Sequence, residues 1–272
     1  MKVRAPTVHG IFYPADAEAL RRLIARLLAG AGSPSAAARS ILSPHAAYSV
    51  SGEVAAAAFQ AASGREPERI LLIGPVHREP AERIFAPEAE AFQTPLGLCP
   101  VDVPFLKELA RCSPRFCFDE IPHFEEHCLE VQLPFLQTLF PRSPIAPLLM
   151  GGNSPALARL LADALRRSLA PKAHGALIVV SANMTRFRPV EQGRRELEAA
   201  LAPIASLDAE ALLEAAARRR ISTCGAACIA AILFLERLWG GKAEVLRRCL
   251  LYTSRAHETP EHLVCRLLLE KK

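Results

Sequence analysis

Ser40-Ile-Leu-Ser-Pro-His-Ala-Ala-Tyr-Ser-Val-Ser-Gly52 is the stretch from which the fold of this chain is predicted. Its short apolar run stops at Pro44, which predicts a strand end, and the alanine-rich residues 53–62 that follow predict a helix. His45 therefore follows directly on a strand. The same pattern occurs in Arg69-Ile-Leu-Leu-Ile-Gly-Pro-Val-His77, where a four-residue apolar strand is predicted to break at Gly74-Pro75 before a histidine. Because ligands bind beyond the carboxyl ends of strands in open α/β sheets, we predict that His45 and His77 converge on one site. The alternative is two unrelated loop histidines.

The rest of the chain alternates between strand and helix patterns. Ala176-Leu-Ile-Val-Val-Ser181 has the consecutive β-compatible apolar residues of a strand buried on both faces. Ser154-Pro155 opens an amphipathic helix that extends to Leu169. Two final segments, 244–252 and 262–269, predict strands around a polar loop. No low-complexity linker interrupts this alternation, which predicts a single α/β domain over residues 1–272.

Composition limits the classes of function. The net charge of +5 is modest, the arginines are scattered among glutamates, and aromatic residues do not alternate with basic clusters, so nucleic-acid binding is not indicated. The longest apolar stretch, residues 226–235, is too short to span a bilayer, and the amino terminus has no signal-peptide pattern. The eight cysteines are scattered, as expected of reduced thiols. We therefore expect a cytoplasmic protein that binds neither nucleic acid nor membranes.

A metal bound by His45 and His77 would need a third donor, and Cys224 is the best candidate. Imidazole is the commonest transition-metal ligand in proteins. Ser222-Thr-Cys-Gly225 directly precedes a long apolar helix, and a thiol at a helix amino terminus has a lowered pKa and more of the thiolate that metals bind. The alternative is that Cys224 is simply a small buried residue, as most free cysteines are.

A second pair of histidines, His123 and His127, would share a face if both lay on one helix. The glutamates between them, at positions 125 and 126, do not give the His-Glu-x-x-His order of zinc proteases, so that class is excluded. Glu126 and His127 could instead line the site as supporting or acid–base residues. An exposed helix start with a capping carboxylate is the alternative.

Several short motifs occur in a fixed order along nearly the whole chain, and by them it resembles the Memo family. That family includes protein B of the AmmeMemoRadiSam system and is similar to the class III extradiol dioxygenases. The matching motifs are Gly10-x-Phe-Tyr-Pro14, Pro44-His-Ala-x-Tyr48 with Ser51-Gly52, Gly74-Pro-x-His77, Thr94-Pro-Leu-Gly97 with Val101-Asp102, Glu126-His-x-Leu-Glu-Val-Gln-Leu-Pro-Phe-Leu136, and Thr223-Cys-Gly225.

The resemblance implies an α/β fold with a central mixed sheet flanked by helices, like the catalytic subunit of the class III extradiol dioxygenases. It also implies that His45, His77 and Cys224 line the metal position. The dioxygenases have a carboxylate in place of the thiolate, and a thiolate shifts the preference toward copper(I), zinc or thiolate-tolerant iron. We therefore expect a pocket for iron, copper or zinc, with redox or oxygen-dependent activity.

This chain departs from the family where the family's Ser-Ser-Asp-x-x-His appears as Ser181-Ala-Asn-Met-Thr-Arg186. Asn183 replaces an acid and cannot act as a general base, and Arg186 replaces a proton-transferring histidine by a permanent cation. Both residues are expected to line the pocket. The departures motivate an alternative function: a catalytically silent binding protein whose pocket takes a peptide, a small anionic ligand or a partner protein, with Arg186 as an anion anchor.

Overall fold

The computed structural model describes residues 1–32, 38–78, 81–169, 175–185, 189–250 and 261–267. These residues form eleven strands and ten helices. The strands are β1 Val3–Arg4, β2 Ser40–Ser43, β3 Arg69–Pro75, β4 Ile84–Ala86, β5 Ala91–Thr94, β6 Gly97–Pro100, β7 Phe116–Phe118, β8 Ile145–Met150, β9 Ala176–Ser181, β10 Glu244–Leu250 and β11 Glu261–Leu267. The helices are α1 Ala17–Ala29, α2 Tyr48–Gln60, α3 Val103–Ala110, α4 Ile121–Phe124, α5 His127–Glu130, α6 Leu133–Leu139, α7 Pro155–Leu169, α8 Val190–Ala205, α9 Ala209–Ala217 and α10 Ala226–Leu238.

Eight of the strands form one sheet in the order β10-β11-β2-β9-β3-β8-β4-β7. Its centre, β2-β9-β3-β8, is parallel, whereas β11 is antiparallel to β2 and β4 is antiparallel to β8. The predicted α/β fold with a central mixed sheet flanked by helices is therefore confirmed. The chain also forms a three-stranded sheet, β1-β5-β6, which the sequence did not predict. The single domain over residues 1–272 stays a prediction, because several of its segments lie outside the described residues.

The central strands and the helices follow from local sequence. Residues 70–73 of β3 are completely buried, as a strand covered on both faces requires. Helix α1 begins where the Asp16 carboxylate accepts a hydrogen bond of 2.8 Å from the Ala19 backbone N–H, and its leucine pattern turns Leu20 and Ile24 into the core. Among the described helices, none has the length and apolar character needed to cross a membrane.

The carboxyl ends of β2, β9 and β3 meet at one edge, because these three strands are neighbours in the sheet. Strand β3 continues through Gly74 to Pro75, so the predicted break at Gly74 was placed too early. His45 follows β2, Asn183 follows β9 and His77 follows β3. This edge of the sheet therefore positions the candidate site.

Gly74 lets α5 approach β3, and we expect Gly74→Ala to destabilise the protein by about 1–3 kcal/mol, as overpacking does. A Cβ there would lie 2.6 Å from Cys128 Sγ and 2.8 Å from Leu129 Cδ2, so α5 would have to move. Gly30→Ala is the matched control, since its Cβ would meet nothing closer than 3.6 Å. Equilibrium unfolding in denaturant measures both variants. Equal stabilities would show that α5 accommodates the extra methyl group.

Candidate metal centre

His45, His77 and Cys224 converge at the carboxyl edge of the sheet. Their ligand atoms all lie within 4.8 Å of one another, and Cys224 Sγ lies 3.2 Å from His45 Nε2. The predicted convergence is confirmed, and the alternative of unrelated loop histidines is wrong. His45 is 2% exposed, whereas the His77 side chain is 31% exposed. Solvent therefore reaches the cluster from the side of His77.

The turn after β2 fixes the position of His45. Its backbone N–H donates to Asn183 Oδ1 at 3.1 Å, and its Nδ1 lies 3.1 Å from the Ser181 hydroxyl. Both partners lie in or just after β9, the neighbouring strand. The ring is therefore held by the sheet, with Nε2 toward Cys224.

Glu126 holds His77 in the same manner from the other side. Its carboxylate lies 3.0 Å from His77 Nδ1, accepts from the His77 backbone N–H at 3.0 Å, and caps α5 by accepting from the Cys128 N–H at 3.0 Å. Glu126 thus caps α5 as well as contacting His77, but it is only 6% exposed, so the alternative of an exposed helix start is wrong. A carboxylate on the outer nitrogen of a histidine orients the ring and makes its other nitrogen a better ligand.

The Glu126 and His77 charges stabilise each other. Burial raises the pKa of the Glu126 carboxyl, but the hydrogen bond and charge of His77 outweigh burial and lower this pKa to about 2. Burial lowers the pKa of His77, but hydrogen bonds to Cys224 and Glu126 and the charges of both raise it to about 9. At neutral pH the metal-free site therefore holds a protonated His77 beside a carboxylate.

Cys224 is placed by the residues at the start of α10. Gly225, the residue before the helix, has a φ of +74°, and a Cβ there would lie 3.3 Å from Pro75 Cδ, so glycine suits this position best. Asn153, from the loop after β8, accepts from the Ala227 N–H through Oδ1 at 3.2 Å and so caps the first turn. Nothing in the local sequence around Asn153 indicated this role.

The thiol of Cys224 ionises easily. Burial raises the pKa of Cys224, but the charge of His45, hydrogen bonds with His45 and His77, and the Asn183 backbone N–H at 3.0 Å together lower it to about 6. At buried Cys99, desolvation raises the pKa to about 12. The lowered pKa was predicted from the helix amino terminus, and the two imidazoles and the Asn183 N–H lower it in the folded chain.

His127 completes a triangle of three imidazoles, with ring centroids 5.3 Å from His45 and 5.1 Å from His77. Its Nδ1 lies 3.3 Å from Glu126 Oε1. Burial and the charges of His45 and His77 lower the pKa of His127 to about 4, so it is neutral at pH 7. His77, Glu126 and His127 also form a second group of potential ligands. Because the Glu126 carboxylate is hydrogen-bonded to His77 Nδ1, we assign Glu126 and His127 a supporting role.

His123 does not belong to the site. It lies on α4 and His127 on α5, so the two do not share a helix face. His123 is 1% exposed, its Nε2 lies 3.1 Å from the Phe85 carbonyl, and burial lowers its pKa to about 3. The two histidines would share a face only on a single helix, and residues 121–139 form three short helices instead of one.

Asn183 holds both ligand loops. Its side chain accepts from His45, its backbone N–H donates to Cys224 Sγ, and its carbonyl accepts from the Cys224 N–H at 3.1 Å. It therefore contacts both His45 and Cys224, two of the three candidate ligands. Arg186, the other residue expected to line the pocket, lies outside the described residues.

The donor set of two imidazoles and one thiolate matches the preferences of zinc, copper and iron. It does not match calcium or magnesium, which take oxygen ligands. Three protein donors leave a coordination position for another molecule, as in catalytic rather than structural zinc sites. The residues present therefore fit a transition metal.

The chain is similar to known proteins in sequence. The family model described as Memo-like protein matches residues 4–261. A MEMO1 family protein of Ignicoccus hospitalis is 34% identical over 258 residues, which cover 90% of each chain, and one of Aquifex aeolicus is 33% identical over 226 residues, which cover 83% of each. The crystal structure of an uncharacterized protein from Escherichia coli K12 matches 77% of this chain and 90% of its own, with a TM-score of 0.48 and 15% identity.

Proposed function

This chain belongs to the Memo-like protein family, and we propose that it binds one transition metal ion through His45, His77 and Cys224. The observation that carries the proposal is the convergence of two imidazoles and one easily ionised thiol within 4.8 Å. The metal would be iron, copper or zinc. The cytoplasmic location expected from the sequence is part of the proposal, since a reduced thiol is required.

The chain's own residues would have distinct roles around the ion. Cys224 supplies negative charge, Glu126 orients His77, and Asn183 holds the loops that carry His45 and Cys224. His127 is neutral, and its Nδ1 lies 3.3 Å from Glu126 Oε1. A bound iron or copper ion would supply redox or oxygen chemistry, and zinc would supply a Lewis acid.

Metal analysis of tag-free protein purified without oxygen tests the proposal. We expect about one ion per chain in the wild type, as for a single three-ligand site. Loading with Co(II) should give a thiolate charge-transfer absorption that is lost in Cys224→Ala. Cys99→Ala, which removes a buried thiol elsewhere in the fold, should keep it. A wild-type protein that binds none of Fe(II), Cu(I) and Zn(II) would contradict the proposal.

The affinity for Zn(II) should depend on pH in a defined way. Metal binds thiolate and neutral imidazole, so protons compete with it. Between about pH 6 and about pH 9, Cys224 is ionised while His77 is protonated in the metal-free protein, and affinity should rise about tenfold per pH unit. Below about pH 6 the thiolate is also protonated, so the affinity for Zn(II) should rise more steeply with pH. Above about pH 9 the affinity should no longer change with pH.

Competition with a chromophoric chelator across this pH series measures the affinity. In Glu126→Gln, which removes a charge that raises the pKa of His77, the plateau should begin at lower pH. An affinity independent of pH between about 6 and 9 would mean that His77 is not a ligand.

A second candidate function is the catalytically silent binding protein, whose pocket would take a peptide, an anionic small molecule or a partner protein. The observation in its favour is that Asn183 uses Oδ1 to hold the His45 backbone and has no basic oxygen for proton transfer. Asn183→Asp combined with Arg186→His restores the family's acid and base. Oxygen uptake that appears only in the iron-loaded double variant would support this candidate, and uptake by the iron-loaded wild type would exclude it.

A further inference from the structure

The side chain of Arg4 binds three acceptors at once. Its Nη1 donates to the Glu130 carboxylate at 2.9 Å, its Nε to the His123 carbonyl at 2.6 Å and its Nη2 to the Glu126 carbonyl at 2.8 Å. Arg4 is only 6% exposed. The first contact pairs two charges, but the other two bind the main chain where α4 ends and α5 begins.

The segment that joins α4 to α5 depends on such contacts for its position. Each of these helices has four residues, too few to be stable without tertiary contacts. A guanidinium presents its donors in a rigid planar fork. Arg4 therefore fixes the carbonyls on both sides of the break between the two helices relative to each other.

The side chain that leaves this segment is the carboxylate that holds His77. The Glu126 carboxylate accepts from the backbone N–H groups of His77 and Cys128, each at 3.0 Å, and lies 3.0 Å from His77 Nδ1. These contacts require the carboxylate in one place, and Arg4 holds the main chain of the same residue.

We infer that Arg4 is a positioning residue for the Glu126 carboxylate, and through it for the His77 ring. This role is separate from the ion pair with Glu130. It also connects the three-stranded sheet, to which Arg4 belongs, with the candidate metal centre. The position of the carboxylate is a property of the metal-free protein, and only its consequence for metal affinity rests on the proposed function.

Arg4→Lys separates the positioning role from the ion pair. Lysine keeps the positive charge beside Glu130, but a single ammonium group cannot reach three acceptors that are spread around a guanidinium. The carbonyl contacts are therefore lost while the charge remains.

Arg39→Lys is the matched control. Arg39 is 7% exposed, lies 2.7 Å from the buried Glu236 carboxylate, and stacks over the Trp239 ring at 4.8 Å, as Arg4 stacks over Phe92 at 5.0 Å. It directly precedes β2, whose other end carries the site. The control thus perturbs a similar buried arginine away from the candidate metal centre.

Hydrogen exchange followed by NMR in the metal-free protein tests the inference. The amides of His77 and Cys128 donate to the Glu126 carboxylate. They should exchange about tenfold faster in Arg4→Lys than in Arg39→Lys, which corresponds to the loss of about one hydrogen bond. Equal rates in the two variants would overturn the inference.

Two further measurements guard against a general loss of stability. The His45 amide, which donates to Asn183 Oδ1, should exchange at the same rate in both variants. If Arg4→Lys does not fold, Arg4→Met combined with Glu130→Gln removes the carbonyl contacts without leaving an unpaired buried charge. The same acceleration at His77 and Cys128 is expected there, and its absence would equally overturn the inference.

Zinc affinity shows whether Arg4 acts through Glu126. Arg4→Lys should weaken Zn(II) binding about three- to tenfold, less than the roughly 10- to 100-fold expected for losing an outer-shell partner itself. In a Glu126→Ala background it should cause no further loss, because no carboxylate remains to be positioned. Additive losses would overturn the inference. If the amides respond as expected but the wild-type protein binds no metal, the inference stands and the proposed function fails.

Discussion

A chain that carries both His45→Ala and His77→Ala is expected to retain no transition metal after purification. The double variant keeps one of the three donors, and a lone thiolate cannot hold an ion against the buffer. Removing a residue that only supports a ligand weakens binding by about 10- to 100-fold, so loss of two ligands should exceed roughly 100-fold. Metal content and Zn(II) competition titration measure the effect.

The matched control removes the same number of imidazoles from outside the donor set. In His9→Ala with His127→Ala, all three proposed ligands remain, so metal binding should persist, though weakened by the loss of His127 beside Glu126. Circular dichroism establishes that both double variants fold. Full metal retention in the His45/His77 double variant would show that the ion binds elsewhere.

Glu130→Ala is expected to destabilise the fold by about 3–5 kcal/mol, the range for removing one partner of a buried ion pair. The Glu130 side chain is completely buried and lies 2.9 Å from Arg4 Nη1, which is itself 4% exposed. Glu130 also accepts from the Thr7 and Val8 backbone N–H groups and from the Tyr13 hydroxyl at 2.8 Å. Without the carboxylate, the buried Arg4 charge would lose its counter-ion and the buried Tyr13 hydroxyl would lose its acceptor.

Denaturant unfolding of Glu130→Ala beside Glu18→Ala measures this effect. Glu18 pairs with Arg22 on the exposed face of α1, and such surface pairs contribute about 0–1 kcal/mol. The loss of Glu130 should also disturb the candidate metal centre. Phe12 lies in the segment that Glu130 anchors, and its ring contacts the His127 ring with centroids 5.1 Å apart. Similar stabilities for the two variants would mean that the Arg4–Glu130 pair is replaced by solvent at little cost.

The sequence predicted the parts of the site that depend on local signals. His45 and His77 each follow an apolar run stopped by proline, and Cys224 precedes a long apolar helix, so each position can be read from about ten neighbouring residues. The mixed sheet was expected from the family resemblance. The resemblance also selected these three residues from eight histidines and eight cysteines.

The sequence could not predict contacts between distant segments. Ser181, Arg4 and Asn153 act through hydrogen bonds to residues that are 136, 122 and 74 positions away, and no local pattern records such pairings. Strand β1 has two residues, too few for a periodic signal, so its sheet was missed. Pro134 lies in the first turn of α6, which begins at Leu133. His123 and His127 separate because the chain breaks at residues 125–126, between α4 and α5.

The contact between His45 and Cys224 joins two residues 179 positions apart. An ion bound between them would act as a reversible cross-link, closing a loop that includes most of the chain. Because the unfolded chain cannot keep these donors together, unfolding and metal release are coupled, and the ion stabilises the fold by about 2.7 kcal/mol at a free concentration 100 times its dissociation constant. The thermal stability of this protein therefore becomes a measure of the metal available around it.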